Sequence, residues 1–222
     1  MFAVGVNDIA DVEIDKISNN NRPLIKGEVS VKELKEYNLF FFVWSLAGGF
    51  VAGHYALFMI GVFTSAYYIF SSSLRLKRLP IISTFLISIA SLSAVLAGFY
   101  ITSANKTIEA FPISYLALII IVFTLGANLK DLKDIEGDRA EGIKTIPALL
   151  GKERGKMAVG FLVGLAFLLV PILMGLKILI LPSALAAIGA YSLINHEPYL
   201  ERKIFLLYIV YVVVSFVLVA IF

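Results

Sequence analysis

The stretch Ile81–Ser103, IISTFLISIASLSAVLAGFYITS, contains no charged residue. An apolar run of about 20 residues or more can cross the ~30 Å hydrocarbon core of a membrane as a helix. Because a lone strand in lipid would leave its backbone N–H and C=O groups unpaired, we expect this stretch to be helical. It therefore predicts a membrane-spanning helix.

The composition of the whole chain extends this prediction. Its 222 residues are 59% hydrophobic and 16% charged, with a mean hydropathy of +0.91, which excludes an ordinary soluble domain. Seven membrane spans are expected, at 37–53, 55–73, 81–103, 110–129, 157–175, 178–195 and 203–222. We therefore predict an all-α fold, a polytopic membrane helical bundle with seven transmembrane helices in one domain, 1–222.

The charges predict the orientation of these spans. Long charged connections are expected at 7–36, 74–80, 130–156 and 196–203, and of the 19 Lys and Arg residues only Lys106 and Lys177 fall outside them. Because excess Lys and Arg marks cytoplasmic loops, these connections are predicted to be cytoplasmic and the C-terminus outside the cell membrane. The pI near 9.0 is explained by this topology, and no nucleic-acid partner is expected.

Within the first connection, Ser30-Val31-Lys32-Glu33 has the pattern of a capping box. In this motif the side chains of Ser and Glu bond to each other's backbone N–H groups at a helix start. A helix is therefore predicted to begin near Val31.

Metal-binding chemistry in this chain is restricted to oxygen ligands. The chain has no cysteine and two isolated histidines, so disulfides, thiolate nucleophiles and an ordinary zinc site are excluded. Any metal is expected to be Mg²⁺, Mn²⁺ or Ca²⁺ held by carboxylates.

The first concentration of carboxylates is the stretch 6–15, VNDIADVEID. Asn7, Asp11 and Asp15 are spaced i, i+4, i+8, so on a helix they form one polar stripe, and Asp8 lies beside them. Oxygen donors at this spacing repel one another, and a bound Mg²⁺ would relieve that repulsion. On its own, such a run is equally well explained as an exposed helix face.

A second acidic run follows the fourth expected span, in residues 127–139, ANLKDLKDIEGDR. Asp131, Asp134 and Asp138 are spaced i, i+3, i+7, which also predicts one helical face. Both runs are expected at cytoplasmic ends of spans, where together they favour a site that holds Mg²⁺ and, through it, a diphosphate. Basic residues near these runs would neutralise the remaining charge: Arg22, Arg75, Lys77, Arg78, Arg139 and Lys144.

These two runs resemble the motifs of the UbiA superfamily of intramembrane prenyltransferases. NDIADVEID followed by NRPLIKGEVS is similar to that family's first Asp-rich motif and the loop after it, and DLKDIEGDRAEGIKTIPALLG is similar to the second. The resemblance implies that Asn7, Asp11 and Asp15, with Asp134 and Asp138, ligate Mg²⁺. Asp8 and Asp131 belong to the same motifs with less defined roles.

The resemblance also implies an activity. Members of the family transfer a prenyl group from an isoprenyl diphosphate to an acceptor in the lipid phase. The motifs are most similar to those of archaeal digeranylgeranylglyceryl phosphate synthases, which implies geranylgeranyl diphosphate as donor and geranylgeranylglyceryl phosphate as acceptor. An aromatic acceptor of a quinone pathway, or a chlorophyll-type acceptor, is the alternative.

Two features depart from the family pattern. The tyrosine of the family's Tyr-x-x-x-Lys element is replaced by Ser73, four residues before Lys77. The family has nine helices and its first motif closes the second, so the resemblance implies that this chain lacks the first helix and most of the second. The part of the cavity wall that these helices would form is expected from a longer chain, another chain or a dimer partner.

Two functions from other classes compete with an enzyme. A transporter or channel would place charges in the middle of its spans, which here are nearly free of charge. A non-catalytic remnant would keep the motifs without the cavity.

Overall fold

Helices form every regular element in the part of the chain that the structure describes, residues 1–71, 76 and 79–221 of a computed structural model. The α-helices are α1 (Phe2–Ala10), α2 (Val12–Ser18), α3 (Val31–Ala52), α4 (His54–Ser71), α5 (Ile82–Thr102), α6 (Ile113–Gly126), α7 (Ile135–Ala140), α8 (Ile146–Leu150), α9 (Lys152–Met174), α10 (Ile180–Asn195) and α11 (Glu201–Ile221). Short 3₁₀ segments lie at Ile108–Ala110, Ala127–Leu132 and Lys177–Leu179. The prediction of an all-α fold is confirmed.

Five helical stretches are long and apolar enough to cross a membrane, among the described residues: Ile82–Thr102, Ile113–Leu132, Lys152–Met174, Lys177–Asn195 and Glu201–Ile221. The polytopic helical bundle is therefore confirmed. The first two expected spans fall on the helices α3 and α4, which are not among these five stretches. The number seven stays a prediction.

The helices pack mostly against their neighbours in the chain, α3 on α4, α4 on α5, α5 on α6, and α9 on α10. Helix α9 is central, because it also packs against α6 and contributes Val159, Val163 and Phe167 to the main core. Small residues of α10, such as Ala190, let the two helices approach closely, as is usual in membrane bundles.

Helix α3 begins at Val31, as predicted. The Ser30 Oγ accepts a hydrogen bond from Glu33 N at 3.2 Å, and Glu33 Oε2 accepts one from Ser30 N at 2.8 Å. Both bonds of the capping box are present, so the helix start is fixed by its own sequence.

The short helices bring the two acidic runs to one place. Helix α1 packs against α3 and α4, and α2 packs against α7. A Cβ on Gly5 would lie 2.0 Å from Asn38 Oδ1, so a larger residue here would displace the Asn38 side chain of α3. The first acidic run is thereby held beside the second.

Candidate active site

A large cavity of about 1050 Å³ is lined by charged side chains at one end and by apolar side chains elsewhere. Polar and charged residues at one end include Asn7, Asp8, Asp11, Arg22, Lys130, Asp131, Lys133, Asp134, Asp138 and Glu201. Apolar residues of α6, α9 and α11 line the rest, among them Leu118, Val122, Phe123, Phe167, Val170, Phe205, Val212, Phe216 and Val219. The cavity therefore combines a charged end with space for a hydrocarbon chain.

The first acidic run keeps the predicted stripe across a helix break. Asp11 stands between α1 and α2 with φ −104° and ψ 13°, outside ideal helical geometry. Even so, Asp11 N donates to Asn7 O at 2.9 Å and Asp15 N donates to Asp11 O at 2.8 Å. Because this four-residue step continues, Asn7 and Asp11 both line the cavity, while Asp15 is buried beside it with 3% of its surface exposed.

The second acidic run is not one continuous α-helix, so that part of the prediction is wrong. Asp131 lies in the 3₁₀ segment Ala127–Leu132, Asp134 precedes α7, and Asp138 lies within α7. In 3₁₀ geometry residues three apart eclipse each other, which brings Asp131 and Asp134 to the same side, and Asp134 N bonds to Asp131 O at 3.3 Å. All three carboxylates line the cavity.

Side chains of α2 and its C-terminal neighbour join the two runs. Asn19 Nδ2 donates to Asp15 Oδ1 at 2.8 Å and to Asp134 Oδ1 at 2.7 Å. Ser18 Oγ accepts from the backbone N of Gly137 at 3.2 Å. The two acidic runs, far apart in sequence, therefore form one cluster.

The predicted basic residues separate into three groups. Arg22 lines the cavity, pairs with Asp8, and places its Nε 3.8 Å from Asp15 Oδ2. Arg139 and Lys144 are exposed and outside the cavity lining, and Arg139 Nε donates to Ala148 O at 2.8 Å. Their role with a diphosphate stays a prediction. Three further basic residues lie outside the described residues: Arg75, Lys77 and Arg78.

Several residues of the site were missed by sequence reasoning. Lys130 lines the cavity, pairs with Asp131 and lies 5.3 Å from the centre of the Phe70 ring, and Lys133 Nζ lies 3.3 Å from Glu201 Oε1. Lys130 directly precedes Asp131 in the chain, and this adjacency was a signal that it lies beside the acids. The bridging role of Asn19 carried no comparable signal, although it extends the i, i+4 series of the first run.

Burial and mutual repulsion destabilise the charged forms of these carboxylates. The pKa of Asp138 is raised to about 6 by burial, and further by the charges of Asp131 and Asp134, although Thr145 Oγ1 donates to it at 2.9 Å. The pKa of Asp15 is also raised, mainly by burial, while the Asn19 bond and the Arg22 charge act in the opposite direction. A cation would relieve this repulsion.

The donor set suits Mg²⁺. Every candidate ligand is an oxygen, and Asp131 Oδ2 is buried without a hydrogen-bond partner. Across the described ranges no three His, Asp or Glu side chains gather closely enough to form a complete metal site. A Mg²⁺ ion bound here would complete its shell with water and phosphate oxygens.

Fold and site together define a class, a polytopic helical membrane protein with a cavity lined by a cluster of carboxylates and by apolar side chains. The family can be named as well. The chain belongs to the UbiA prenyltransferase family, whose model matches residues 1–203. The resemblance of the two acidic motifs is thereby confirmed.

Individual relatives of this chain share about 30% of its sequence over the aligned residues. The chain is 31% identical over 154 residues to digeranylgeranylglyceryl phosphate synthase of Pyrococcus abyssi, covering 68% of this chain and 53% of that one. It is 29% identical over 166 residues to naringenin 8-dimethylallyltransferase 2 of Sophora flavescens, covering 69% and 40% respectively. The chain thus spans about half the length of these relatives.

Among solved structures, a UbiA homologue from Archaeoglobus fulgidus bound to DMAPP and Mg²⁺ matches with a TM-score of 0.71. The alignment covers 100% of this chain and 83% of the homologue at 18% identity. This likeness shows the fold.

Proposed function

We propose that this chain carries out Mg²⁺-dependent transfer of a prenyl group from an isoprenyl diphosphate to an acceptor in the lipid phase. One observation carries the proposal, the continuity of a carboxylate cluster with an apolar cavity of about 1050 Å³. A diphosphate and a hydrocarbon tail need these two environments side by side. The family to which the chain belongs supports the same reaction class.

The donor's C1–O bond breaks in this reaction, and its electron pair leaves with the diphosphate. The acceptor's nucleophilic atom then forms a bond to C1 and loses its proton. Bound Mg²⁺ would supply positive charge to the leaving diphosphate, and Asp11, Asp15, Asp134 and Asp138, with Asn7, are the residues proposed to hold it. Asp8 and Asp131 line the same end of the cavity.

The chain's own residues supply the rest of the environment. Arg22 and Lys130 both face the cavity and are proposed to bind diphosphate oxygens as charged hydrogen-bond donors. Aromatic and aliphatic side chains such as Phe123 and Phe167 exclude water, which would otherwise capture the allylic cation that develops at C1.

For the acceptor, geranylgeranylglyceryl phosphate is the first candidate. The relative from Pyrococcus abyssi bears the name of the synthase that this assignment implies. An aromatic acceptor is the second candidate, because the match to the Sophora flavescens dimethylallyltransferase is of comparable identity.

The site is proposed to face the cytoplasm in the cell membrane, with the C-terminus outside. The charges support this orientation, since the acidic runs lie in the Lys- and Arg-rich connections. The diphosphate donor would then reach the cavity from the cytoplasmic side.

Diphosphate release from the purified membrane protein tests the function. The protein is incubated with Mg²⁺ and geranylgeranyl diphosphate, with geranylgeranylglyceryl phosphate in one set of samples and 4-hydroxybenzoate in the other. Diphosphate release together with a prenylated product in one set of samples identifies the acceptor in that set as the substrate. If diphosphate is released in neither set of samples, at Mg²⁺ concentrations that stabilise the protein, both candidate reactions are ruled out.

Replacing Arg22 by glutamine is expected to raise the KM for the prenyl diphosphate about tenfold or more, because a charged hydrogen bond contributes roughly 1.5–3 kcal/mol. Lys26→Gln is the matched control, since Lys26 is an exposed cation in the same loop. Steady-state kinetics with the diphosphate as varied substrate gives the comparison. Equal KM values for the two variants would remove Arg22 from the diphosphate site.

A further inference from the structure

The side-chain amide of Asn19 lies between the two acidic runs. Its nitrogen has two N–H donors, and each has a carboxylate oxygen within hydrogen-bond distance, Asp15 Oδ1 at 2.8 Å and Asp134 Oδ1 at 2.7 Å. Asp15 lies in α2 and Asp134 directly precedes α7, so Asn19 is a direct polar link between the halves of the cluster. Its donor capacity is fully used there.

A hydrogen bond from a backbone N–H group joins α2 and α7 next to Asn19. Ser18 Oγ accepts from Gly137 N at 3.2 Å, and a Cβ on Gly137 would lie 2.8 Å from both Ser18 Oγ and Ile14 Cγ2. Helix α7 therefore lies against the end of α2 with no space between them. In this setting the Asn19 amide is held at a defined distance from both acids.

The two hydrogen bonds leave the acids able to bind a metal. Each carboxylate has about four lone-pair positions on its two oxygens, and Asn19 occupies one on each. Asp134 lines the cavity together with other charged side chains, among them Asp131 and Asp138. Outer-shell bonds of this kind orient metal ligands, and removing one lowers metal affinity about 10- to 100-fold.

We propose that Asn19 is a positioning residue that holds the Asp15 and Asp134 carboxylates together in the metal-free protein, so that Mg²⁺ meets a cluster already assembled. The proposal rests on the proposed function in that the metal is the one the prenyl transfer requires. Asn19 does not itself ligate the metal or touch the substrate. It offsets the repulsion between two acids that come from different acidic runs of the sequence.

Metal affinity gives the first test, with Mn²⁺ alone as the probe and the free ion counted by EPR. Asn19→Ala and Asn19→Leu are expected to weaken binding about tenfold or more. The leucine keeps the side-chain volume and removes both donors, so it separates hydrogen bonding from packing. Asn20→Ala is the matched control, an exposed asparagine one position away, and is expected to stay within about twofold of the unmodified protein.

The second test needs no metal. The chain has no cysteine, so spin labels at Lys16→Cys and Glu136→Cys report the α2 to α7 distance without other substitutions. We expect one narrow distance distribution in the metal-free protein, a broad one after Asn19→Ala, and recovery of the narrow one on adding Mg²⁺.

The outcomes separate the two proposals. If both Asn19 variants bind Mn²⁺ as tightly as Asn20→Ala, or leave the metal-free distance unchanged, Asn19 is not a positioning residue. If the unmodified protein binds no Mn²⁺, the proposed function fails, while the metal-free distances still decide whether Asn19 holds the acids together.

Discussion

Replacing Asp134 by alanine is expected to lower Mg²⁺-dependent diphosphate release about a thousandfold or more. The carboxylate lines the charged end of the cavity and joins the second acidic run to the first through Asn19. Charge stabilisation by a bound metal is worth several kcal/mol at a leaving group, and each 1.4 kcal/mol is a factor of ten in rate. The measurement is turnover at saturating Mg²⁺ and donor.

Glu136→Ala provides the control for this variant. Glu136 is an exposed carboxylate on the adjoining helix α7 and is not part of the cavity lining. Its removal is expected to leave turnover within about twofold, in line with the small effects of most surface substitutions. Thermal unfolding in detergent should show both variants folded. Full activity in folded Asp134→Ala would refute the assignment of Asp134 as a metal ligand.

Replacing Gly137 by alanine is expected to force α2 and α7 apart. The added methyl would lie 2.8 Å from Ile14 Cγ2 and 3.0 Å from Ile14 O, and the backbone oxygen cannot rotate away as a side chain can. Overpacking of this kind costs about 1–3 kcal/mol, and here it also separates the two halves of the carboxylate cluster. We therefore expect a lower thermal midpoint and a loss of Mn²⁺ affinity and turnover together.

Gly98→Ala is the matched control within the same chain. A Cβ at Gly98, near the C-terminal end of α5, has no heavy atom within 4 Å. Since alanine is a better helix former than glycine by about 1 kcal/mol, this variant should be as stable as the unmodified protein or more stable. A Gly137 variant that matches Gly98→Ala in stability and Mn²⁺ binding would show that the close contact of α2 with α7 is not needed.

The features predictable from sequence were those carried by local patterns. Apolar length predicted helices at each of the five stretches that the structure shows as long enough to span a membrane. The Ser30 and Glu33 pair predicted where α3 begins, and the four-residue spacing of Asn7 and Asp11 predicted a shared face that survives the break between α1 and α2. The bonds that fix the start of α3 and the shared face of Asn7 and Asp11 join residues within about one turn of helix.

The features that sequence reasoning missed depend on contacts between distant segments. The i, i+3, i+7 spacing of the second run was interpreted as an α-helical face, but the backbone changes from 3₁₀ to α geometry within it. Arg139 was grouped with the site because it lies near Asp138 in the chain, yet its guanidinium bonds to Ala148 O outside the cavity lining. No sequence spacing indicates that Asn19 faces a carboxylate 115 positions away.

That separation of 115 residues between Asn19 and Asp134 also affects how the protein is made. During synthesis the first acidic run emerges long before the second, because α3, α4, α5 and α6 lie between them. Contacts of such high sequence separation carry a large loop-closure cost, which must be met before they stabilise the fold. We therefore expect each acidic run to stay hydrated and electrostatically independent during insertion, and the repulsive cluster to form only when most of the bundle is in place.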